Sequence, residues 1–164
     1  MAIKTLHDLF VHELSDVYSA EKQMSKALPG LARAATNAQL KEAFEMHLEE
    51  TKEQINRLDQ IVELGNVKLK RIKCAAMEGL VEEGKEVIAS VEKGPVRDAA
   101  LIGGAQKVEH YEIASYGTLC ALAKKLDFDD ELDLLLATLE EEKNTDKKLT
   151  LLAKQEVNPE AVEA

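Results

Sequence analysis

The chain has 164 residues, of which 21 are basic and 31 acidic, for a formal net charge of -10. That length suits one domain and excludes a multidomain enzyme, while the acidic balance leaves no Lys/Arg stripe for nucleic-acid phosphates. Aromatic residues are only 4%, with no Trp, 8 Gly and 3 Pro, so a chain rich in Ala, Leu, Glu and Lys is expected to be all-α rather than a β-sandwich.

No apolar run reaches the roughly 18 residues that a membrane helix needs. The first residues, MAIKTLHDLFVHELSD, lack the core of a signal peptide, so a cytoplasmic protein with no membrane partner is expected. Cys74 and Cys120 have no CxxC spacing, and two free thiols are expected rather than a disulfide.

The first helix is expected over about 5–35. Thr5 and Asp8 form its capping box, and apolar residues recur every three or four positions from Leu6 and Phe10 to Leu28 and Leu31. Pro29 should kink or break it. Thr36 and Gln39 read as the cap of a second helix, about 37–65, which carries Leu40, Phe44, Ile55 and Leu58 and stops near Gly65-Asn66. Residues 66–95 form a basic connector followed by a shorter helix interrupted by glycine. Gly94-Pro95 opens a third long helix, about 96–126. Asp127 and the acids after it should cap a fourth, about 129–155, which ends before Asn158-Pro159 with frayed residues beyond. Connections that run short, long, short let the second and third long helices lie parallel. This is the single-crossover topology of a ferritin-like four-helix bundle, with a short extra helix in the crossover.

Function is read from the polar residues that interrupt the apolar stripes. The series 10, 14, 17, 21, 24, 28 places Glu21 inside the first helix. His47 and Thr51 fall on the stripe of the second, with Glu50 beside them. Glu112 falls on the third, with Glu109 one turn earlier, and Glu142 and Asp146 fall on the fourth. Every interruption lies near mid-helix, so all four can meet at one level. Buried ionised carboxylates cost several kcal/mol unless they are paired or ligate a metal. Two divalent ions, iron or manganese, suit such a site, and oxygens from different helices should then come within about 5 Å of each other. The usual di-iron pattern carries Glu-x-x-His on two helices. Here the second helix reads His47-x-x-Glu50 and the fourth has no His, which leaves the metal open.

His7, His12 and His110 read as surface residues. Tyr116 lies on the face of Glu112, either as a hydrogen-bond donor to a ligand carboxylate or as a plain core residue. Cys120 reads as a small core residue. In Glu140-Glu141-Glu142 only Glu142 is expected to point inward.

Four segments, LHDLFVHELSDVYSAEKQMSKALP, HLEETKEQINRL, RDAALIGGAQKVEHYEIASYGTL and LEEEKNTDKKLTLLA, together resemble the bacterial YciE/YciF-like family of the ferritin-like superfamily. The resemblance spans nearly the whole chain, and HYEIASYGTL is its most distinctive part. It implies a small cytoplasmic stress-response protein that forms homodimers of ferritin-like bundles. It also implies a polar core of Glu21, Glu50, Glu112, Glu142 and Asp146, with His47 and Glu109 as further candidates. The leading expectation is a carboxylate-bridged di-metal protein handling oxygen or peroxide. The alternative is a metal-free helical homodimeric interaction protein whose acids pair with cations or face water. The short segment at 75–91, with Met77, Leu80, Val81, Val87 and Ile88, needs a surface to cover and is the other ground for a homodimer.

Overall fold

A computed structural model describes residues 2–164. Among them the regular structure is helical throughout: α1 Leu6–Ala34, α2 Ala38–Leu64, α3 Ala75–Ser90, α4 Pro95–Lys125, α5 Asp129–Leu152, a π-helical turn Ala153–Val157 and α6 Asn158–Glu163. The first cap is as expected, with Thr5 Oγ1 accepting from the N–H of Asp8 at 3.0 Å and Asp8 Oδ2 accepting from the N–H of Thr5 at 3.1 Å.

Four local expectations need correction. Helix α1 is not broken at Pro29 and continues to Ala34. Proline removes only one backbone donor there, and buried Leu28 and Ala32 hold the last turns against the core. Asn37, not Thr36, caps α2, its Oδ1 accepting from the N–H of Leu40 at 3.0 Å. No side chain caps α5, where Phe128 stands at the N-cap, although Asp129, Asp130 and Glu131 fill the first turn as expected. The segment after α5 stays helical to Glu163, because Pro159 sits in the first turn of α6, where its missing donor does no harm, and Val157 is fully buried.

Helix directions follow from the residues that pair across the bundle. Along α2 and α5, Glu50 meets Thr145, Gln54 meets Glu141 and Arg57 meets Thr138, so one number rises as the other falls and the helices run antiparallel. Between α4 and α5, Gln106 reaches Thr150 and His110 reaches Asp146, again antiparallel. Both α2 and α4 oppose α5, so they run parallel to each other, as the long 66–94 connection requires.

The crossover is stitched to one face of α1 by residues spaced four apart. Ser15 Oγ accepts from the N–H of Lys70 at 2.9 Å, Ser19 Oγ accepts from the N–H of Cys74 at 2.9 Å, and Gln23 Nε2 donates to the Cys74 carbonyl at 3.1 Å. Cys74 caps α3, its Sγ 3.4 Å from the N–H of Met77.

The apolar core is divided in two. One part gathers Met24, Leu28, Leu40, Phe44, Leu101, Ile102, Val108 and Leu149. The other gathers Phe10, Leu14, Val17, Leu58, Ile61, Tyr116, Leu119 and Leu135. Between them each long helix contributes buried polar residues: Glu21 from α1, His47, Thr51 and Gln54 from α2, Glu109 and Glu112 from α4, Thr138 and Glu142 from α5. The bundle therefore carries a polar layer between two apolar ends.

Candidate metal centre

The layer contains a tight group. His47, Glu109, Glu112 and Glu142 are all buried, and each offers one nitrogen or oxygen such that all four atoms lie within 4.8 Å of one another. Three helices supply them, so oxygens from different helices approach as closely as a shared cation requires. Thr51 Oγ1 donates to the His47 backbone carbonyl at 2.8 Å, and His47 Nε2 lies 2.9 Å from Glu109 Oε1.

Glu21 lies against this group. It is fully buried, and Tyr116 Oη donates to its Oε1 at 2.6 Å. Tyr116 thus packs in the second apolar cluster and also donates to a buried carboxylate.

Glu50 lies further out, with its side chain 30% exposed and its Oε2 3.8 Å from His47 Nδ1. It accepts from Thr145 Oγ1 at 3.3 Å. Asp146 is outside the group: it accepts from Gln106 Nε2 at 3.2 Å and pairs with exposed His110 at 3.3 Å. Four residues beyond Glu142 a helix has turned about 40° past a full circle, which carries Asp146 to the stripe edge facing α4.

Sequence reasoning missed the rim of the layer. Glu141 is not part of a solvated run: its two oxygens take Arg57 Nη1 and Nη2 at 2.7 Å each, and Gln54 Nε2 donates to it at 3.1 Å. The signal was present, since Gln54 and Arg57 are three apart and share a helix face, but polar residues beside a stripe are common. Cys74 and Cys120 are both buried and free.

The electrostatics reflect crowding of acids away from water. Burial pushes the Glu21 carboxyl up to about 7, even though the Tyr116 hydrogen bond opposes the shift. Burial, then the neighbouring Glu142 and Glu21, push Glu112 well above the carboxylate range. Burial, then Glu109, do the same to Glu142. For His47 burial favours the neutral ring, but Glu109 and Glu50 overcome it and hold its pKa well above 6.5.

The donor set fits a divalent cation. Both oxygens of Glu112, both of Glu142, one each of Glu21 and Glu109 and both ring nitrogens of His47 are buried with no hydrogen-bond partner among the described residues. The short His47–Glu109 approach thus lacks the alignment of a hydrogen bond. Buried polar atoms are seldom left without a partner, and carboxylates with one imidazole are a donor set for iron, manganese or zinc.

Comparison with known proteins agrees with this architecture. The family described as "Domain of unknown function (DUF892)" matches residues 5–162. The chain belongs to the YciF-like DUF892 family. Protein YciF of Escherichia coli K12 is 61% identical over 162 residues, covering 98% of each chain. The crystal structure of the E. coli stress protein YciF superposes with a TM-score of 0.92 at 62% identity, covering 95% of this chain and 99% of that one. YcfI of Rhodopseudomonas palustris, described as a candidate structural protein, superposes at 0.87 with 44% identity, covering 90% and 94%. A Xanthomonas campestris protein at 20% identity shares the fold, with a TM-score of 0.73 over 92% of each chain.

Proposed function

We propose that this DUF892 protein is a stress-response protein built around a buried divalent metal centre, with two iron or manganese ions, acting on oxygen or peroxide. The observation that carries this reading is the group of four buried donors within 4.8 Å of one another, surrounded by carboxylate oxygens without partners. His47, Glu109, Glu112 and Glu142 would hold the metal, with Glu21 adjoining. Bound redox-active ions would supply the electrons for reducing an oxygen species.

The residues of the chain supply the rest. Tyr116 orients Glu21 by donating to one oxygen, leaving the other free. Glu109 of α4 sets a carboxylate 2.9 Å from His47 Nε2. The two apolar clusters exclude bulk water from the layer, which strengthens every charge interaction inside it. Burial and the neighbouring acids shift Glu112 and Glu142 well above the carboxylate range, which favours their protonated forms in the metal-free layer, so cation uptake would release protons.

Purification without chelators followed by elemental analysis tests the reading. About two ions per chain, with release of protons on reloading, are expected. No bound metal, together with no oxidation of added Fe(II) above the buffer rate when air is admitted, would leave the second reading. That reading is a metal-free helical structural protein, favoured by the description of YcfI and by the His47–Glu109 pair, which neutralises part of the layer by itself.

A further inference from the structure

The seam between α2 and α5 is locked at one level and open at the next. Arg57 grips Glu141 through two bonds of 2.7 Å, and Gln54 and Thr138 complete the lock. Toward the other end, among the described residues, α2 and α5 are joined beside the metal layer by the 3.3 Å contact of Thr145 with Glu50. Beyond it opens a surface groove of about 460 Å³ whose walls include Glu42, Met46, Glu50, Thr145, Lys148 and Glu156.

Behind the groove, sharing Ala43, Thr145 and Leu149 with its wall, lies a void of about 10 Å³, lined mainly by apolar side chains such as Leu28 and Phe44 with His47, Glu109 and Thr145 as its polar wall. That is roughly the space of one water molecule. Glu50 lines the groove, part of its side chain in solvent, and its Oε2 lies 3.8 Å from the buried Nδ1 of His47, the residue that bounds the void. Among the described residues no lysine or arginine is bridged to Glu50. A groove between α1, α3 and α4 is walled mainly by apolar residues such as Met24, Leu31, Leu80 and Val87, with Glu83 held by Lys107 at 3.3 Å. A groove between α1 and the crossover is walled by Lys22, Lys26, Lys70 and Arg71, which repel a cation.

We infer that Glu50 is the transit carboxylate of a cation port: a divalent ion enters by the α2–α5 groove, exchanges water for Glu50, and passes by way of His47 to the buried acids. This rests on the metal reading but assigns Glu50 a different part from the four clustered donors. A carboxylate that serves only passage lowers the barrier in both directions. Its loss should therefore slow uptake and release together while leaving the final affinity nearly unchanged. A ligand, by contrast, acts mainly on release. Lys148 at the groove wall opposes an approaching cation, and its replacement by an acid should speed encounter at low salt.

The test uses Co(II) as probe, with stopped-flow uptake, chelator-driven release and equilibrium titration of the full chain. Wild type should load, and Glu50→Ala should take up and release Co(II) at least about tenfold more slowly, with Kd changed by less than about threefold and the same stoichiometry. Lys148→Glu, an exposed change that leaves the layer intact, should load faster by a factor that shrinks with salt. Unchanged rates in both variants would overturn the port. So would faster release with unchanged uptake in Glu50→Ala, which would make Glu50 a ligand. If wild type takes up no Co(II), the metal reading itself falls and the port falls with it.

Discussion

Glu112 brings the physical conflict of this protein to a point. Both of its oxygens are buried without a partner, and its carboxyl is held well above the carboxylate range by burial and by Glu142. Glu112→Gln keeps the shape and removes the charge. It should therefore lower bound metal at least about tenfold in affinity, yet stabilise the metal-free chain at pH 8 by about 1–3 kcal/mol, a sign that chelated samples in urea can check. The pH dependence follows from the same groups. Above pH 4.5 the unfolded chain releases carboxyl protons that Glu21, with its pKa of about 7, still holds in the fold. Folded protein then binds more protons than unfolded, so stability falls as pH rises. His47 acts in the same direction: its contribution is complete below about 6.5 and is lost as pH rises through its higher folded value. Metal-free protein should thus lose about 3 kcal/mol or more between pH 5 and pH 8, and loading with metal should flatten or reverse that slope. Urea midpoints at the two pH values, with and without metal, measure it.

At the scale of elements, the legible features were those written in periodicity. The four long helices and the parallel run of α2 and α4 follow from apolar spacing and one long connection. The polar layer follows from interruptions at Glu21, His47, Glu112 and Glu142. What could not be read were contacts that depend on how helices rotate against one another. Asp146 shares a stripe with Glu142 on paper but lies about 40° away on the helix, and Glu141, outside the stripe, meets Arg57 across the seam. Asp98 carried no signal at all, being one acid in the first turn of α4. In the fold it is buried and accepts from the N–H groups of Thr36 at 2.8 Å and Asn37 at 2.7 Å, fastening the α1–α2 turn to the start of α4. Asp98→Ala leaves two backbone donors without their acceptor, so a loss of about 2–4 kcal/mol is expected, read as a lower thermal midpoint in calorimetry. A change below about 0.5 kcal/mol would contradict this role.

For the whole molecule, we propose that two copies associate through the face that carries α3. Met77 is buried within the chain, but Leu80, Val81, Val87 and Ile88 remain only partly covered, beside an apolar groove of about 350 Å³ against α1 and α4. Gly103 and Gly104 face open space there, although glycine costs a helix interior about 1 kcal/mol relative to alanine. Sedimentation at micromolar concentration should give twice the 18.1 kDa of one chain, and Val87→Glu should shift it toward the monomer. A single 18.1 kDa species in wild type would contradict this. The polar layer between two apolar ends is proposed to hold metal. Anomalous diffraction at the iron and manganese edges, from crystals of protein purified without chelators, tests it most directly. Peaks within about 2.5 Å of carboxylate oxygens of Glu109, Glu112 and Glu142 and of a His47 ring nitrogen are predicted. A layer without anomalous signal at either edge, its carboxyls paired to one another or to water, would contradict it.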